Sequence, residues 1–191
     1  MRRSLLLALL ILGTAFTYIP VEAVDIVNAE KMPYDLDSVF INELWLVVVS
    51  AVNDEAIFLK VPPGTKPPMI VYEPVQPVNG KGFDAEMAYS YDNQARKVKM
   101  EIPRTLYLYP RPFTISPAIV YGALAQEFLH EAMLYQEVTP ELQHCLMIGR
   151  GTLAKALAFV DFRLKTGNLA LKTILGNTAE QCRDDLEKVR R

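Results

Sequence analysis

Histidine, cysteine and surplus charge are all scarce in this 191-residue chain, and each scarcity closes off a class of function. There are two histidines and two cysteines, and 20 basic residues stand against 22 acidic ones. So even a balance supplies no field to draw phosphate backbones or anionic lipid to the surface, and nucleic acid is excluded as a partner. Two histidines leave nothing spare beyond a single two-imidazole site. The glycine patterns of nucleotide binding and of the nucleophile elbow are missing, as are internal repeats and any linker rich in Gly and Ser. With 51% hydrophobic residues the chain is neither a disordered tail nor a collagen.

Part of that apolar content belongs to the first two dozen residues. Met1-Arg2-Arg3-Ser4 precedes a nearly uninterrupted apolar run from Leu5 to Phe16, and Val21-Glu22-Ala23 supplies a small-residue cleavage site. This is the layout of a secretory signal, with an apolar stretch shorter than the ~20 residues that cross a bilayer. Cleavage after Ala23 is expected, giving a secreted or periplasmic protein, with a retained N-terminal anchor as the alternative. Removing 1–23 takes away Arg2, Arg3 and Glu22 and moves the formal charge from -2 to -3. Leu44 to Val49 is too short to span, so no membrane contact is expected beyond the leader. In an oxidising compartment Cys145 and Cys182 are expected to pair, two separately buried thiols being the alternative.

Residues 24–191 read as one α+β domain: an N-terminal helix, a small and mostly antiparallel sheet, then C-terminal helices. Asp37 or Ser38 caps a helix to about Asn53 with Phe40, Leu44, Val47 and Val48 on one side, although Val47-Val48-Val49 keeps a strand open. Pro62-Pro63-Gly64 and Pro67-Pro68 force a loop before a strand from Met69 to Glu73. Glu86 to Tyr91 and Arg96 to Ile102 read as a hairpin about Asp92-Asn93. Thr105 to Tyr109, bracketed by Pro103 and Pro110, reads as an edge strand. Ser116-Pro117 then caps a helix from Ala118 to about Glu137, and Thr139-Pro140 opens another that Gly149 and Gly151 interrupt. Gly167 stands where a C-terminal cap is expected. A last charged helix is expected to start at Asn177 or Thr178, anchored through Cys182.

Both histidines fall in one short window. On the helix after Ser116, Gln126 and His130 are four apart and share a face, with Glu127 beside the first. In the pattern His-Glu-x-x-His, two imidazoles one turn apart hold Zn²⁺ and the glutamate takes a proton from the metal-bound water. Here Gln126 stands at the first histidine position. Ala123-Leu124-Ala125 and Phe128-Leu129 supply the small and apolar positions such a helix packs with, and the order helix, strands, bracketed strand, motif helix precedes and includes it. From about Ser38 to Gly167 the chain thus resembles the small gluzincin-type zinc metallopeptidase domain. The resemblance implies that Thr105 to Tyr109 lines a substrate cleft, with Tyr107 and Tyr109 on it, that Glu127 is the general base and that His130 is the second zinc ligand. The family's third ligand is a glutamate on the next helix, yet Cys145 to Val160 holds no Asp or Glu. Glu141, His144 and Asp161 are the candidates to fill the gap. His144 suits best, because a turn near Val138-Thr139 would fold two helices together and bring it toward His130.

Other readings share these residues. Gln and His on one helix face also serve as a hydrogen-bonded pair or a wet polar edge. Glu127-x-x-His130 and Glu141-x-x-His144 match the spacing of di-iron carboxylate bundles, but strand-like sequence fills the space where the other two core helices would lie. His144 beside Cys145 invites a thiol nucleophile, but helical neighbours point about 100° apart. With two of three zincin ligands altered, no cofactor is expected, zinc at His130, Gln126, His144 and Asp161 being the exception to test. The function expected is a catalytically inactive peptide- or partner-binding pseudo-enzyme, with the Tyr107 to Tyr109 strand able to pair with an extended chain. The alternatives are an unorthodox zinc hydrolase using Glu127 as base and a structural envelope protein without metal.

Overall fold

A computed structural model describes residues 24–32, 36–58, 60–72, 87–89, 105–108, 116–133 and 140–190. The leader, the arm Arg96 to Ile102 of the expected hairpin, and Tyr109 lie outside the described residues. The first helix, α1 (Ser38–Asn53), begins where the Asp37 side chain accepts hydrogen bonds from the amides of Val39 and Phe40 at 2.9 and 3.1 Å. Those bonds satisfy two of the amides that a helix start leaves without partners. Phe40, Ile41, Leu44, Trp45, Val48, Ala51 and Val52 are buried at helical spacing, and this packing overrides the strand preference of Val47 to Val49.

Four short strands form one sheet: β1 (Ile26–Val27), β2 (Met69–Tyr72), β3 (Met87–Tyr89) and β4 (Thr105–Leu108), in the order β1-β2-β4-β3. β1 pairs with β2 and β2 with β4 in parallel, the latter with Ile70 opposite Leu106; β3 runs antiparallel to β4, with Ala88 opposite Tyr107. Among the described residues the expected mostly antiparallel sheet is not supported: the pairing is mixed, with two parallel pairs and one antiparallel. A two-residue strand such as β1 carries no readable alternation, and β3, between β2 and β4 in the sequence, takes the outer side of β4, so that β4 can lie beside β2 in parallel. The edge-strand expectation for Thr105 to Tyr109 is corrected as well: β4 is paired on both sides. The rule that keeps proline out of central strands does not bear on Thr105–Leu108, which holds no proline.

The second helix, α2 (Pro117–Ala132), starts with the Ser116 hydroxyl accepting from the Ala118 amide and Pro117 in its first turn. Most of its faces are buried, and α1 packs against it together with two later helices, α4 (Thr152–Leu164) and α5 (Leu169–Val189). It is the axis of the helical layer, and Ile70, Tyr72 and Leu106 of the sheet join the same core. α3 (Pro140–Gly149) ends at the glycine pair, where Gly151 takes φ +69° before α4 starts.

The last helix begins at Leu169, eight residues before the expected Asn177. Its cap comes from α4: Asp161 accepts from the Ala170 and Leu171 amides at 2.9 and 2.8 Å. A cap supplied from the preceding helix leaves no signal at the start of the helix it serves. Thr178, expected as a helix start, instead turns its hydroxyl back to its own helix at Ile174 O, 2.8 Å away.

Candidate functional site

Three helices meet at a polar joint. α2 contributes Gln126 and His130, α3 contributes Gln143, His144 and Cys145, and α5 contributes Thr178, Gln181, Cys182 and Asp185. The α5 residues fall at i, i+3, i+4 and i+7, which is one stripe of a helix. The Cys145–Cys182 disulfide, with Cα atoms 4.9 Å apart, holds α3 against α5. One residue earlier on α3 and three residues later on α5, His144 Nδ1 donates to Asp185 Oδ2 at 2.8 Å. His144 Nε2 lies 3.1 Å from His130 Nε2, and His130 Nδ1 lies 2.8 Å from Gln143 Oε1. Asp185 also accepts from Lys188 at 2.9 Å. A continuous polar chain thus runs Gln143, His130, His144, Asp185, Lys188 across all three helices.

The charges along this chain follow from its surroundings. Burial works to raise the Asp185 carboxyl, but hydrogen bonds and charge from Lys188 and His144 outweigh it and hold the group below the usual carboxylate range. Asp185 is therefore ionised and only accepts, which places a hydrogen on His144 Nδ1. Glu127 shows the reverse: burial pushes its carboxyl up to about 8. Although the residue retains some surface, its carboxyl end is enclosed. At neutral pH it is protonated and has no lone proton vacancy to offer a water.

The sequence-derived candidates separate cleanly. His130 and His144 come together. Gln126 lies on the same helix, but its amide nitrogen donates to Gln181 Oε1 at 3.0 Å and its oxygen faces the Thr178 hydroxyl at 3.1 Å, so both ends are engaged by α5. Asp161 is elsewhere, capping α5; burial tends to raise its carboxyl, and the bonds from Thr166, Leu171, Ala170 and Leu169 lower it on balance. The Glu141 side chain and Tyr109 fall outside the described residues, and Tyr107 sits on the interior strand β4. Cys145 is disulfide-bonded and is no nucleophile. Gln143, Thr178, Gln181 and Asp185 were not signalled by any motif. Only the Cys182 pairing pointed to them, since fixing Cys182 opposite Cys145 sets Asp185 one turn on, beside His144.

The hydrolytic zinc of the metallopeptidases does not fit these residues. The first-ligand position is closed by Thr178 and Gln181, Asp161 is committed to a helix cap, and among the described residues no third His, Cys, Asp or Glu gathers into a metal-holding group. Fold and site together define a mostly helical α+β protein whose polar centre is a disulfide-braced pair of histidines. The chain matches no family model, no curated protein and no solved structure. The metallopeptidase likeness accordingly rests on the α2 motif and the order of elements in the sequence.

Proposed function

We propose that the protein is an exported, catalytically inactive pseudo-enzyme that binds a peptide or protein partner. The observation that carries the inactive half of this reading is the double engagement of Gln126 by α5, which uses the first-ligand position of a zinc peptidase as a helix-to-helix fastener. The protonated state of Glu127 agrees with it, since a neutral carboxyl cannot take a proton from water. The disulfide agrees with export into an oxidising compartment. A binding role is supported by large apolar side chains left in solvent: Val39 and Leu46 on one side of α1, and Phe162, 80% exposed, on α4. With β4 paired on both sides, strand addition at Tyr107 to Tyr109 is not supported as the contact mode.

The test is a peptidase assay with a mixed peptide library at neutral pH, with and without added Zn²⁺, read by mass spectrometry. Cleavage by the wild type is expected to be no greater than by Glu127→Gln. Zinc-dependent cleavage that Glu127→Gln abolishes would return the protein to the active hydrolases.

A further inference from the structure

The last helix changes character along its length. Up to Thr178 it is held by burial, through Ala170, Ile174 and Thr178. After Thr178 no residue of α5 is buried, and among the described residues three side-chain bonds tie it to α2 and α3: Gln181 to Gln126, Cys182 to Cys145 and Asp185 to His144. The first of these is exposed to solvent, where water competes for the same groups. The sequence changes at the same point. Gly176, Asn177 and Thr178 are three consecutive residues of low helix preference, and the Thr178 hydroxyl bonds back to Ile174 O, a contact that loosens and bends helices. Packing does not require the glycine, because a Cβ at Gly176 would meet no atom within 4 Å.

We propose that the Cys145–Cys182 disulfide is a redox latch on a hinged strap: reduction by a dithiol frees α5 beyond Thr178 to swing out at Gly176-Asn177-Thr178, while the apolar core stays folded. The latch stands at the centre of the bonds it secures. Gln181 precedes Cys182 and Asp185 follows it by one turn, and on α3 Gln143 and His144 stand just before Cys145. The covalent bond thus holds each polar pair at high effective concentration, and cutting it weakens all of them together. The core is placed elsewhere, since α1, α2, α4 and the sheet supply most of its buried apolar residues and α3 supplies Met147. Cys145 and Cys182 are each half-buried, which leaves the bond within reach of a thiolate.

In the reduction, one thiolate of the dithiol attacks a sulfur of the bond, forming a mixed disulfide and releasing the other cysteine as a thiolate that takes up a proton. The second thiolate of the reductant then attacks the reductant's own sulfur in the mixed disulfide and releases the remaining cysteine. Two electrons pass to the protein, both cysteines end as thiols, and the reductant leaves as its own disulfide. Release uncovers what the strap lies against: Gln126 loses Gln181, and His144 loses Asp185. The oxidised protein therefore keeps the polar face of α2 and α3 closed, and the reduced protein opens it. The device involves no catalytic group, so it stands or falls separately from the pseudo-enzyme reading.

The test compares the oxidised wild type with the same protein reduced by dithiothreitol and then freed of reductant without air. Trypsin cleavage after Arg183, read by mass spectrometry, is expected to quicken at least about 10-fold on reduction, while cleavage after Lys155 on α4 and after Lys172, before the hinge, stays slow. Modification by diethyl pyrocarbonate reports on the joint itself, because the chain's two histidines both stand there, and its rate is expected to rise in parallel. Reoxidation should restore both. Gly176→Ala fills open space and leaves the disulfide intact, and it is expected to slow cleavage of the reduced protein after Arg183 about 3–5-fold. Unchanged Arg183 cleavage and histidine reactivity after reduction would overturn the proposal, since the remaining contacts would then hold the strap alone. So would cleavage after Lys155 rising in step with Arg183, which would make the bond a staple of the whole fold, and so would a reduced Gly176→Ala protein that opens as fast as the wild type.

Discussion

Asp161 and Glu127 show how far one carboxyl's role depends on what folds around it. Asp161 attracted notice as a possible metal ligand, yet it accepts from Thr166, Ala170 and Leu171 and starts the last helix. Asp161→Ala is expected to cost about 1–2 kcal/mol, the usual worth of a side-chain helix cap. Because these bonds lower the Asp161 carboxyl on balance, its contribution is present above the unfolded-state value and is lost as pH falls through the folded one. Thermal unfolding of wild type and variant between pH 7 and pH 3 should therefore converge at the acid end; a constant gap would refute the cap. Glu127 has the opposite sign. With its carboxyl raised to about 8, it favours the folded state most at low pH, and stability drains as pH rises from the ordinary glutamate range through 8. Glu127→Gln is expected to flatten that slope, leaving the variant the more stable of the two at pH 9. The residue types at 127 and 161 were visible in the sequence; their charge states were not, because desolvation and cross-helix bonds exist only after packing.

At the scale of elements, what was legible followed local chemistry. Asp37 and Ser116-Pro117 announced the starts of α1 and α2, and Gly149 with Gly151 announced the break between α3 and α4, since in each case the signal lies within a few residues of its effect. The start of α5, the interior place of β4 and the parallel pairings escaped because each is set by a distant partner. Gly122 on α2 is another such case. A Cβ there would lie 2.8 Å from Ile174 Cγ1 and 3.3 Å from both Ala170 Cβ and Leu157 Cδ2, so α2 approaches α5 and α4 through the missing side chain. Alanine is favoured over glycine by about 1 kcal/mol within a helix, but overpacking a tight core costs about 1–3 kcal/mol. The crowding is expected to win, and Gly122→Ala should unfold at lower denaturant than the wild type. Equal or higher midpoint would mean that α5 yields easily.

Across the whole molecule, burial and polar fastening occupy different regions. The continuous apolar core takes in α1, α2, α4, the sheet, Met147 of α3 and the first part of α5, where Ala170, Ile174 and Thr178 are the helix's buried residues. Beyond Thr178 the helix is held by Gln181 on Gln126, by the Cys145–Cys182 bond and by Asp185 on His144. A cross-link between residues 37 apart in sequence is worth up to about 4 kcal/mol through the unfolded chain's entropy. Its removal should act unevenly, because α5 after Thr178 has no buried residue to fall back on and α3 gives the core chiefly Met147. Reduction, or Cys145→Ser with Cys182→Ser, is expected to strip hydrogen-exchange protection first from α3 and from α5 after Thr178, while the amides of α2 keep theirs. The histidine pair spans the same joint, so its Nε2 contact should loosen in step. Protection lost at one rate across α2, α3 and α5 would instead show that the disulfide braces the entire core, and that the joint is no weaker than the helices it connects.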